Sequence, residues 1–215
     1  MKQAAKAIWS DLMPTTPVFT TAQVAELAGM APSNASRDLA KLETEGLLTH
    51  LRRGLWAITT HPEFSAHAVV PHLFKDVHGG YVSATSALHV YGIIEQAPRA
   101  VQVVTTAQRP RLKTPVATYE FHRIQDTLFD GFVPCPSAGV FDIAVPEKAL
   151  FDALYLSARK GRRFAHLPEF ELPADFAENL TEAWIARVGH EPLRLAIARR
   201  WEDVRTRARI AGAAS

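Results

Sequence analysis

Residues 29–59 read "GMAPSNASRDLAKLETEGLLTHLRRGLWAIT" and contain the change of period that decides how the first third of the chain folds. Gly29 is placed to end one helix, and Pro32 opens the next at the position where proline is tolerated. From there Ala35, Leu39 and Leu42 recur at helical spacing, the segment runs to about Glu45, and Gly46 closes it. The spacing then becomes that of strands: Leu47–Arg52 and Leu55–Thr59, joined at Arg53-Gly54, predict a hairpin.

Upstream, Thr20 followed three residues on by Gln23 spells a capping box ahead of the apolar Val24 and Leu27. Ala25 and Gly29 supply the small residue and turn glycine that let two helices cross closely. An earlier helix is expected over residues 5–13, with Ile8, Trp9 and Leu12 on one side, broken by "PTTP" at 14–17. Three helices followed by a basic-tipped hairpin is the order of a winged helix-turn-helix, expected at residues 1–60.

The outer face of the Pro32–Glu45 helix carries Ser33, Arg37, Lys41 and Thr44, with Asn34 at its flank. Arginine can grip guanine and asparagine adenine with two hydrogen bonds each, while serine, threonine and lysine can hold phosphates. Arg52 and Arg53 stand where a wing would meet the DNA backbone or minor groove. Alone, such a face also fits a solvated helix, since Asp38, Glu43 and Glu45 lie on the same helix; the arginine-tipped hairpin at the right distance favours duplex DNA. A winged helix serving as a protein-interaction module is the alternative reading.

The second part of the chain has a mixed pattern. "HPEFSAHAVVPHLFKDVHGG" (61–80) connects to it without a clear period. Ser83 is placed to cap a helix through Tyr91, which Gly92 closes, and "AVQVVTT" (100–106) reads as a buried strand. In "ATYEFHR" (117–123) Tyr119 and Phe121 alternate with Glu120 and His122, as in a half-buried strand, and "GVFDIAV" (139–145) is another strand. Pro146 then opens the helix "PEKALFDALYLSA", and from about Ala174 the chain reads as helical, with breaks near Gly189 and Pro192. The expected class is α+β: the winged helix, then a mixed α/β domain over 68–215 whose residues 160–215 form a mainly helical extension.

Composition excludes several classes. The 215 residues are 47% hydrophobic and 21% charged, which allows a sizeable core. The single cysteine, Cys135, allows no internal disulfide and no thiol-rich metal site, and fits a reducing cytoplasm. "MKQAAKAIWSDLMP" has no long apolar run, which argues against a signal peptide, and no stretch is long enough to span a membrane. The net charge of +2 says little about nucleic acid; clusters must carry that argument.

Two clusters could extend a phosphate track: Arg109, Arg111 and Lys113 in "AQRPRLKTP", and Arg159, Lys160, Arg162 and Arg163 after the "PEKALFDAL" helix. A solvated loop, or cations at a helix C-terminus, explains the second equally well. A third group, Arg199, Arg200, Arg205, Arg207 and Arg209, has only Glu202 and Asp203 as local offset, and fits a DNA contact, a subunit contact or a solubilising face. His61, His67, His72 and His78 are spaced by five or six residues, which does not pair them on a helix face; they are the only hint of a ligand- or metal-responsive regulator. In "PEKALFDAL", Pro146 and Glu147 suit a helix N-terminus, and Leu150, Phe151 and Leu154 pack inward. Glu147 and Asp152, five apart, do not converge, so structural roles are expected. No nucleophile, base and oxyanion donor assemble, and no catalytic site, cofactor or metal is expected.

"SATSALHVYGI" (83–93) and "PEKALFDAL" (146–154), behind the N-terminal winged helix, resemble the AbiEi-type antitoxins, transcriptional regulators of type IV toxin–antitoxin systems, over roughly residues 5–160. The resemblance implies a bacterial repressor of its own operon that binds promoter inverted repeats, with two protomers meeting on the DNA. It also implies a nucleotidyltransferase toxin as functional partner, without a stable complex being assumed. By position in the helix and wing, the family's DNA-contact role falls on Ser33, Asn34, Arg37, Lys41, Arg52 and Arg53.

Overall fold

The computed structural model describes residues 2–76, 79–135, 141–159 and 167–213. The chain is a mixed α/β protein, in keeping with the expected α+β class. Among the described residues, no helix is long and apolar enough to cross a membrane.

The N-terminal part opens with α1 (Lys2–Lys6), which widens into a π-helical turn over Ala7–Leu12 and buries Ala4, Ile8 and Leu12. A short strand that sequence spacing did not announce, β1 (Val18–Thr20), follows. α2 (Thr21–Leu27) carries the capping box in full: the Thr20 hydroxyl accepts from the Gln23 N–H, and the Gln23 side chain accepts from the Thr20 N–H at 2.7 Å. Gly29, at φ +60°, turns the chain into α3 (Pro32–Thr44). The hairpin is β2 (Thr49–Arg52) and β3 (Leu55–Ala57), shorter than the expected strands. Residues 46 and 47 go instead to finishing α3, where Gly46 N–H reaches Glu43 O and Leu47 N–H reaches Leu42 O.

β1 pairs antiparallel with β3, giving a three-stranded sheet in the order β1-β3-β2. The alternation of a strand decides what this sheet touches. Phe19, Trp56 and Ile58 face a core built with α1, α2 and α3, while Val18, Leu55 and Ala57 face the larger core of the rest of the chain. The small sheet is a wall shared by both, each buried large apolar side chain contributing about 1.5–3 kcal/mol.

The connecting stretch forms a 3-10 segment, Ala66–Leu73, that buries Val69, Val70 and Leu73. A six-stranded mixed sheet follows: β4 (Tyr81–Val82), β5 (Val101–Thr105), β6 (Leu112–Lys113), β7 (Thr118–Arg123), β8 (Phe132–Pro134) and β9 (Asp142–Ala144). Its order is β6-β7-β5-β4-β9-β8, with β5/β7 and β4/β9 parallel and the other pairs antiparallel. β7 departs from simple alternation, because His122 is buried as well as Tyr119.

α4 (Ala84–Val90) and α5 (Pro146–Ala158) pack against one another, and α6 (Glu178–Ala186) and α7 (Glu191–Ala213) pack on α5. α5 is enclosed nearly all round, so the inward-facing Leu150, Phe151 and Leu154 are joined by buried Lys148, Asp152 and Tyr155.

Candidate nucleic-acid interface

α3 is oriented by its apolar stripe. Ala35, Leu39 and Leu42 are buried against α1 and α2, which turns Ser33, Asn34, Arg37, Lys41 and Thr44 outward, all exposed. Ala31 gives the helix no side-chain cap, and its carbonyl accepts the Asn34 N–H at 2.9 Å. The Thr44 hydroxyl donates back to Ala40 O at 3.0 Å, which occupies its proton within the helix. Among the described residues, Arg37, Lys41 and Arg53 meet no carboxylate.

The hairpin is locked to this helix pair at three points. The Glu43 carboxylate accepts the His50 N–H at 3.2 Å, the Trp56 indole donates to the Thr21 hydroxyl at 2.9 Å, and Gly54 O accepts the Thr21 N–H at 3.0 Å. The His50 ring lies on Trp56, 4.3 Å between centroids. Arg53 is exposed at the turn, made possible by Gly54 at φ +76°. Arg52 leans the other way: its guanidinium donates to His72 O at 3.2 Å, reaching from β2 to the 3-10 segment.

The three basic residues of the 106–113 stretch have different fates. The Arg109 guanidinium lies 4.4 Å from the centre of the Phe74 ring and 5.4 Å from that of Phe121. Partial burial, and then the positive charge of Arg52, hold it below its ordinary value. Arg111 is paired with Glu120 at 3.5 Å, and Lys113 is exposed on the edge strand β6. Arg159 is exposed and donates to Arg123 O at 2.7 Å; Lys160, Arg162 and Arg163 lie outside the described residues.

On α7, Arg199 and Arg207 are exposed, and the side chain of Arg209 lies outside the described residues. Arg205 is offset more fully than its own helix suggests, by Glu178 and Glu182 of α6 in addition to Glu202. Of the histidines, His61 bonds Met13 O at 2.8 Å, and His67 lies against Phe141. His78 lies outside the described residues, among which no group of three or more metal-ligating side chains gathers.

A buried polar centre escaped the reading of the sequence. Lys148 and Asp152, four apart on α5, form an ion pair, and Asp152 also accepts from the Ser83 hydroxyl at 2.7 Å and the Tyr81 hydroxyl at 3.1 Å. Ser83 therefore spends its hydroxyl on Asp152 and does not cap α4, whose first residue, Ala84, takes φ +48°. The Lys148 ammonium faces the rings of Phe151, Tyr81 and Trp184 at 4.9–5.9 Å. Burial pushes Asp152 up and Lys148 down, each opposed by the other's charge. Glu147, the acid singled out at the helix start, accepts the Ala177 N–H at 3.0 Å. The i,i+4 spacing of Lys148 and Asp152 was the available signal.

No protein-family profile matches the chain, and no curated protein matches its sequence. Its fold is similar to that of the crystal structure of the RV2827C protein from Mycobacterium tuberculosis, with a TM-score of 0.51 and 19% identity over 92% of this chain and 72% of that one. At that identity the likeness is one of fold alone.

Proposed function

We propose that the chain is a DNA-binding transcriptional repressor whose residues 1–60 act as a winged helix-turn-helix. α3 enters the major groove, and the β2–β3 hairpin lies along the flanking backbone. In this reading Asn34 and Arg37 meet base edges, Ser33 and Lys41 hold phosphates, and Arg53 meets the backbone beside them, while Thr44, expected among the contacts, keeps its proton on Ala40 O. The observation that carries it is the outward face of α3: Arg37 and Lys41 are exposed, with no carboxylate partner among the described residues, directly opposite buried Ala35, Leu39 and Leu42. The resemblance of the 83–93 and 146–154 segments to AbiEi-type antitoxins extends the proposal to autoregulation of an operon that also encodes a nucleotidyltransferase toxin.

The test is a salt-titrated binding assay of the full chain on its own upstream region and on a scrambled duplex, with wild type and Arg37→Ala. Tight binding that prefers the upstream region, and loses that preference in the variant, is expected. Equal binding to both duplexes would reduce the interaction to backbone attraction. No binding to either would overturn the repressor reading in favour of a protein-interaction module.

A further inference from the structure

Arg52 and Arg109 come from different parts of the chain, and the same short stretch holds both guanidiniums. His72 O accepts from Arg52, and Phe74, two residues on, underlies Arg109. The Phe121 ring of β7 gives Arg109 a second surface. Neither guanidinium meets a carboxylate among the described residues, whereas Arg111, two positions from Arg109, is already paired with Glu120. The positive charge of Arg52 is felt at Arg109, and an anion bound by both would offset that repulsion. Arginine forks suit the oxygens of a phosphate better than any other common anion-binding side chain.

We infer that Arg52 and Arg109 form a clamp for one phosphodiester group of duplex DNA, at the seam between the hairpin and the six-stranded sheet. The inference rests on the reading of α3 as a DNA-reading helix, and adds to it a contact from outside the N-terminal unit. Arg53 is exposed at the adjoining turn. The clamp reads no sequence. It fixes the angle at which the rest of the molecule lies on the duplex, because the hairpin and the sheet grip the same phosphate.

The test uses the full chain on its own upstream duplex and on a scrambled one, between about 50 and 200 mM salt. The variants are Arg52→Gln, Arg109→Gln and the double variant, with Arg99→Gln as a control of equal charge change. Arg99 is exposed at the opposite end of β5 from Arg109. Each single clamp variant is expected to weaken binding about tenfold on both duplexes. Each should also flatten the dependence of log K on log salt by about 0.9. The double variant should lose little more than either single one, because both residues hold one phosphate. Arg99→Gln should bind as wild type does.

Additive losses, no loss, or an equal loss in Arg99→Gln would each overturn the clamp. Arg52 is exposed, so its variant carries the test should Arg109→Gln fail to fold. If wild type binds and Arg37→Ala loses its sequence preference while the clamp variants bind normally, the clamp falls and the repressor reading stands. If wild type binds neither duplex, both fall.

Discussion

Lys148 and Asp152 form an ion pair in which neither side chain has any solvent exposure, and Asp152 also accepts hydrogen bonds from Tyr81 and Ser83. One carboxylate thus ties α5 to β4 and to the residue that precedes α4. Taking such charges out of water is costly, and the geometry returns that cost only while both partners are present.

Asp152→Asn keeps an oxygen for the Tyr81 and Ser83 hydroxyls but leaves the Lys148 ammonium buried with only the weaker attraction of Asp130 to offset it. It should cost about 3–5 kcal/mol. Adding Lys148→Met removes the orphaned charge, and Lys148→Met/Asp152→Asn should recover most of the loss. Urea unfolding of the two variants and wild type at neutral pH reads the difference. A double variant no more stable than Asp152→Asn alone would show that the charge pair is not the source of the cost.

Burial, and secondarily the neighbouring His89, lower the pKa of His67 from its ordinary 6.5. The unfolded chain therefore takes up the proton at higher pH than the folded one. The contribution of His67 is fully present above about pH 6.5 and is lost as pH falls toward the folded value. The urea midpoint of wild type should drop between about pH 7 and pH 5 more than that of His67→Gln. Equal slopes would remove His67 as a source of acid sensitivity.

Gly29 and Gly131 both lie at positive φ, +60° and +72°, yet their surroundings differ. A Cβ at Gly29 meets nothing within 4 Å, so Gly29→Ala should cost only the backbone strain, about 1–2 kcal/mol. A Cβ at Gly131 would run into the Trp184 ring and come to 3.1 Å from Lys148 Cγ. Gly131→Ala should therefore be clearly the more destabilising in thermal unfolding. The reverse order would mean that Trp184 moves aside freely, against its indole hydrogen bond to Asp130 at 2.8 Å.

What could be read in the sequence was local. The Thr20–Gln23 box, the Gly29 stop, the stripe of α3 and the Pro146 start of α5 each depend on residues within a turn or two, and each was legible. β1 was not, because three residues hold too little alternation to stand out, and its pairing with β3 is a long-range event. The 3-10 segment 66–73 has its period broken by Pro71.

The same division runs through the candidate site. The outward face of α3 follows from helical spacing alone, so Ser33, Asn34, Arg37 and Lys41 could be singled out before any coordinates. The direction of Arg52 could not, since its acceptor, His72 O, is twenty residues away. Nor could the offset of Arg205 by acids on α6, or the diversion of Ser83 to Asp152, 69 residues on. Spacing says which face a side chain leaves from; tertiary packing says what meets it.

Asn34, Arg37 and Lys41 leave α3 on one side, but the proposal gives them different work, and that difference is measurable. Residues that meet base edges should set preference: Asn34→Ala and Arg37→Ala should each cost about 1–3 kcal/mol on the chain's own upstream region and much less on a scrambled duplex. A phosphate contact carries no sequence information, so Lys41→Ala should weaken binding to both duplexes alike and reduce the salt slope by about 1. Anisotropy titrations on the two duplexes separate these patterns without structural data on the complex. If Arg37→Ala behaves as Lys41→Ala does, with a uniform loss and a flatter salt slope, α3 lies along the backbone and sequence is read elsewhere in the molecule.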